Sequence, residues 1–191
     1  MRPLLRLLVA SAAVTVALAL QVSVLPQLHL PYAEPDLVLL AVLALSAAWG
    51  PGLGAVTGFL AGLAVDLAPP SVTAAGRHAI VLTLVGALAG RTAAEARRSA
   101  LRTSLLAGIY AGAATLGNAV LGTLLGEGGT LSSAGLAGGV VACGLYTMVA
   151  TPFVLPGLSA LARRADGRRT LLLAPVGNAI GEPASVRTAA Q

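Results

Sequence analysis

Two aspartates, two histidines, one glutamate and one arginine are the residues of this chain whose types and spacing could do chemistry together. Asp36 lies fourteen residues before Gly50, and Asp66 lies fourteen after Gly52. An antiparallel hairpin turning at Gly50-Pro51-Gly52 therefore brings both carboxylates to a similar depth near one face. Arg77 is the one basic residue expected on that side, which His29, Glu34 and His78 share. Neighbouring carboxylates repel unless neutralised, so Arg77 is expected to approach Asp66 or Asp36 and hold the next connection over the hairpin. A metal or proton-coupled transport site could be assembled from the same groups. The structural role is the stronger reading, because both acids fall at segment ends within reach of water and two isolated histidines match no zinc spacing. Asp36, directly after Pro35, also suits a helix start, where its carboxylate caps free N–H groups.

The remaining polar residues carry weaker signals. Asn118, Thr147 and Thr151 lie inside apolar segments and read as hydrogen-bond partners between helices. Cys143 is the single cysteine, which leaves neither an intramolecular disulfide nor a thiolate metal cluster. It reads as a small packing residue. Neither a G-x-S-x-G elbow, a Walker loop nor a catalytic zinc motif occurs, so no enzyme activity, metal or cofactor is expected.

These residues are positioned by apolar runs over 7–25, 37–49, 53–65, 79–89, 103–125 and 134–162. The fold class that follows is an all-α polytopic membrane protein, a bundle of six helices spanning about residues 7–25, 36–50, 52–67, 76–90, 103–125 and 134–160. The transmembrane domain covers 1–165, and 166–191 form a mobile tail. The second and third apolar runs give only about 20 Å of helix each, so they either cross with their flanks included or form a re-entrant hairpin. Six crossings are the preferred reading. The first run could be a signal peptide cleaved after Ala17-Leu18-Ala19, but it continues to Leu25, about 28 Å of helix, and reads as an uncleaved span. Pro152 and Pro156 should bend or end the last helix.

Composition agrees with a bilayer environment: 57% of residues are hydrophobic and 10% charged, with a mean hydropathy of +0.87. That leaves too little polar surface to solvate a water-soluble globule. The net charge of +5 does not indicate nucleic-acid binding, because aromatics are 3% and each basic cluster borders an apolar run. With a cytoplasmic N-terminus, eleven arginines fall on the inner side: Arg2, Arg6, Arg91, Arg97, Arg98, Arg102, Arg163, Arg164, Arg168, Arg169 and Arg187. Only Arg77 falls outside. Both termini are therefore expected in the cytoplasm. The segment from Arg91 to Arg102 is expected to continue as a surface helix facing anionic lipid; docking of a cytosolic protein is the sharper alternative.

Glycine spacing marks the packing surfaces. Gly50, Gly54, Gly58 and Gly62 recur every four residues, and Asp66 continues the series, which gives one small-residue stripe ending in a carboxylate. Gly86 and Gly90, Gly108 and Gly112, and Gly135 and Gly139 repeat the spacing. Packing within the bundle is preferred to a homodimer seam.

At residues 35–91 the chain resembles a known family. Pro35-Asp36-Leu37, Gly58-Phe-Leu-Ala-Gly62-Leu-Ala-Val-Asp66-Leu with Pro69-Pro70, and the stretch from Gly76-Arg77-His78 to Gly86 and Gly90-Arg91 look like the rod shape-determining protein MreD. The likeness extends over about residues 1–165 in helix order and length. It implies a non-enzymatic subunit of the cell-wall elongation machinery, with a six-helix fold similar to the substrate-binding component of energy-coupling-factor transporters. Asp36 and Asp66 match recurring acidic positions of the family. The implied principal partner is MreC, in a wider assembly with the actin-like MreB, a SEDS glycosyltransferase and a class B penicillin-binding protein. Gly54, Gly58 and Gly62 then suit contact with the transmembrane helix of MreC. The competing class is a small-molecule transporter or its substrate-binding subunit, of vitamin type.

Overall fold

The computed structural model describes residues 2–28, 33–68, 76–126 and 133–166. His29, Pro69, Pro70 and the tail from residue 167, with Arg168, Arg169 and Arg187, lie outside them. Six α-helices follow in order: α1 (Arg2–Ser23), α2 (Leu37–Trp49), α3 (Pro51–Leu67), α4 (Arg77–Ala96), α5 (Ala100–Leu124) and α6 (Ser133–Asp166). A short 3-10 turn, Leu25–Leu28, follows α1. Four helical stretches are long and apolar enough to cross a membrane: Leu5–Ser23, Arg77–Ala96, Ala100–Leu124 and Ala134–Ala162.

The burial pattern is the one a bilayer imposes. On α1, Ala10, Ala13, Val14 and Ala17 face inward, while Leu5, Leu8, Val16 and Leu20 point out. Small residues permit close helix approach, and large apolar side chains can face lipid at no cost. α2 is the centre of the molecule, with every residue from Val38 to Ser46 buried among α1, α3, α4 and α6. Its Leu39, Leu40, Leu45 and Val42 supply the largest fully buried side chains.

Two tight junctions set the helix order. Gly50, at φ +87°, ends α2 and starts α3; its N–H donates to Ser46 O at 2.9 Å. Pro51 follows at the first helical position of α3, where its missing N–H removes no helical bond. α4 and α5 are joined by Arg97–Ser99, and the Thr103 hydroxyl donates to Ala96 O at 2.7 Å. Of the segment Arg91–Arg102, expected to continue as one helix, only Arg91–Ala96 prolong α4; the helix breaks at Arg97–Ser99 and α5 starts at Ala100.

For the last helix, one of the two expected outcomes is excluded. α6 runs through Pro152 and Pro156 to Asp166, so neither proline ends it. Thr151 sits at this point and donates to Thr147 O at 2.6 Å.

Candidate functional site

Both acids singled out from the sequence sit at the same kind of place, a helix N-terminus, where unpaired N–H groups need acceptors. Asp36 precedes α2 with extended backbone, and its Oδ1 accepts from Leu39 N at 2.8 Å. Two other helices complete that end. Gln21 of α1 accepts from Val38 N through Oε1 at 3.1 Å, and Thr147 of α6 accepts from Asp36 N at 3.1 Å. The start of the central helix is therefore held by side chains from three segments.

Asp66 serves α4 from a different helix. Gly76, at φ +100°, takes the cap position of α4 and has no side chain to offer. The carboxylate of Asp66, near the end of α3, substitutes for it. Oδ2 accepts from Gly76 N at 2.8 Å and Ala79 N at 3.2 Å; Oδ1 accepts from His78 N at 3.2 Å and His78 Nδ1 at 2.7 Å. The Asp66 side chain is fully buried, and His78 covers it from the solvent side. An ionised carboxylate is tolerated there because four donors and the positive end of a helix surround it.

The structure thus brings Asp36, Asp66 and His78 to one end of the bundle, with His78 in electrostatic reach of Asp36. His78 is a basic side chain that clasps Asp66, and Arg77 beside it opens α4 half-buried. A helix-starting Gly76 ten residues beyond Asp66 was the signal for this clasp. Among the described residues no cluster of three His, Cys, Asp or Glu could hold a metal ion.

The glycine stripe of α3 is occupied from within the chain. A Cβ on Gly54 would strike Gly86 O and Ser46; on Gly58, Leu82 O; on Gly62, the backbone of Ala79. In return Gly86 lies against Gly54, and Gly90 against Pro51. α3 and α4 are therefore in backbone contact along the full length of α3. The expectation that Gly54, Gly58 and Gly62 meet another protein's helix gives way to this packing, since α4 would have to leave first. Gly108 of α5 lies against Gly144 O of α6.

The opposite end collects arginines. Arg6 stands 6.0 Å from the Trp49 ring, and the Arg97 guanidinium donates to Ala47 O at the end of α2. Arg91, Arg98 and Arg102 lie exposed near by. Beneath Arg97, an apolar cavity of about 40 Å³ between α2, α4, α5 and α6 is lined by Leu43, Ala47, Ala107 and Leu155. Tyr110 and Thr92 border it, their hydroxyls 2.8 Å apart. Thr147 does bond between helices, as expected, whereas Asn118 Oδ1 is buried without a partner among the described residues.

Long apolar helices with large residues outward, small residues inward and charge confined to the two ends define a multi-pass helical membrane protein. Comparison with known proteins gives the family. The sequence model described as rod shape-determining protein MreD matches residues 1–126, and the chain belongs to that family. The match takes in α1 to α5 and stops before α6, short of the residue 165 expected from the sequence. None of the curated proteins and none of the solved structures compared with the chain matches it.

Proposed function

We propose that this chain is a non-catalytic integral membrane subunit of the bacterial cell-wall elongation complex, binding and positioning MreC to regulate peptidoglycan synthesis and cell shape. The observation that carries this is the match to the rod shape-determining family over α1 to α5, the helices that contain both capped helix starts. The architecture suits a scaffold. Interlocked glycines join α3 to α4, and fixed caps hold α2 and α4, so a partner meets a stiff surface. The bundle is taken to resemble the substrate-binding component of energy-coupling-factor transporters, with six crossings. The arginine-rich end and both termini are assigned to the cytoplasm, and the Asp36–Asp66–His78 end to the outer face. MreB, a SEDS glycosyltransferase and a class B penicillin-binding protein complete the assembly. Because the α3 stripe is filled, the MreC helix is expected on an outward face.

The test is detergent co-purification of the tagged chain with MreC from the same genome, against an unrelated single-span protein. Selective recovery supports the proposal, and cross-linking from Phe59, Ile80, Ile109 and Phe153, all exposed, then maps the contact. Failure with both proteins well expressed defeats it and directs attention to ligand screening for a transport subunit.

A further inference from the structure

The lipid-facing sides of the bundle differ in apolar length. On α3 the large exposed hydrophobic side chains run from Leu53 to Leu67, about 21 Å along the axis. The whole helix is about 25 Å long and begins directly after Gly50, where the first-turn N–H groups beyond Pro51 have no acceptor within the helix and cannot sit unpaired in hydrocarbon. On α4 the exposed Ile80, Leu84 and Leu88 lie between Arg77 and Arg91, again about 21 Å apart. Gly90 meets Pro51 and Gly62 meets Ala79, so the stretch of α4 from Arg77 to Arg91 lies alongside α3, and α4 runs on to Ala96 beyond the start of α3. On α5, by contrast, exposed apolar side chains continue from Leu105 to Leu125, about 30 Å, the thickness of an ordinary bilayer core.

We propose that the α3–α4 face takes a thinned hydrocarbon layer as its ligand, so that the molecule stands across a step in membrane thickness. The layer beside α3 is thinner than that beside α5 by about 5 Å or more. Arg77 and Arg91 can extend the reach of α4 by snorkelling, but α3 carries no lysine or arginine and sets the limit. The short α2 makes no such demand, being enclosed by other helices. The inference rests on the multi-pass membrane class and does not depend on MreC.

Two single-tryptophan proteins test it in a Trp49→Phe background, which removes the one native tryptophan and an indole N–H that has no partner among the described residues. Phe59→Trp reports on α3, where the residue is 47% exposed, and Leu116→Trp on α5, where it is 51% exposed. Each is reconstituted in vesicles of brominated phosphatidylcholines with chains of about 14 to 22 carbons, and relative lipid affinity is read from fluorescence quenching. The α3 site is expected to favour the shortest chains over the longest about threefold, with the α5 optimum at a longer chain. Any result in which α3 does not peak at a shorter chain than α5 overturns the proposal. Leu60→Trp and Ile109→Trp form a second pair if a first variant does not elute as a monodisperse protein.

Discussion

Asp66 is the residue on which most of the polar structure depends. Its carboxylate accepts four hydrogen bonds from Gly76, His78 and Ala79 at the start of the next helix, and it is fully buried. Asp66→Ala is expected to lower stability by about 3 kcal/mol, because buried N–H groups lose their acceptor. Asp66→Asn, which keeps one oxygen, should cost less. Thermal unfolding in detergent would check both, and equal midpoints for wild type and Asp66→Ala would remove the clasp as a stabilising feature. His78→Ala leaves the three backbone bonds in place and is expected to cost only about 1 kcal/mol. In a double-mutant cycle, the His78 substitution should add little once Asp66 is alanine. Asp36 is a local cap, so Asp36→Ala should cost about 1 kcal/mol. The acids stood out in the sequence as rare charges at segment ends. His78 was placed on the same side as both acids, but its clasp on Asp66 was not readable, since that role depends on the fold of a connection.

At the scale of elements, the decisive contact is between α3 and α4. Backbone meets backbone at Gly54, Gly58 and Gly62, so a side chain there has no flexible neighbour to push aside. Gly58→Leu is expected to cost about 3 kcal/mol or more and to abolish a monodisperse elution peak. Gly52→Ala is the control, because a Cβ there meets nothing within 4 Å, and it should behave as wild type. Similar behaviour of the two variants would show that the stripe is not the packing surface. The interval of four was readable from the sequence alone, as was the hairpin at Gly50-Pro51-Gly52, since each follows from local backbone rules. Which helix fills the stripe was not, because a small-residue face is equally suited to a neighbour in the chain or to a second protein.

Among the described residues, charge gathers at two ends, with Arg6, Arg91, Arg97, Arg98 and Arg102 at one and the carboxylate–histidine cluster beside Arg77 at the other. Placed in a membrane, this asymmetry is expected to hold the arginine end in the cytoplasm. A C-terminal alkaline phosphatase fusion should then be inactive and a C-terminal fluorescent protein bright; the reverse pattern would invert the topology. The unequal apolar lengths of α3 and α5 belong to the same scale. They arise from how the Gly50 junction and the Asp66 clasp fix both ends of α3 against α4.

Environment, helix number and the identity of the important acids were determined by the sequence itself. Solvation by lipid is a property of composition and of apolar run length, and charge is rare enough in such a chain that each acid must have a local reason. The tertiary structure alone decided what each acid holds, that α4 fills the glycine stripe, and that α2 is the buried centre. Those outcomes depend on which of several equally apolar faces approach one another, and van der Waals packing in a bilayer chooses among them by shape rather than by hydrophobicity.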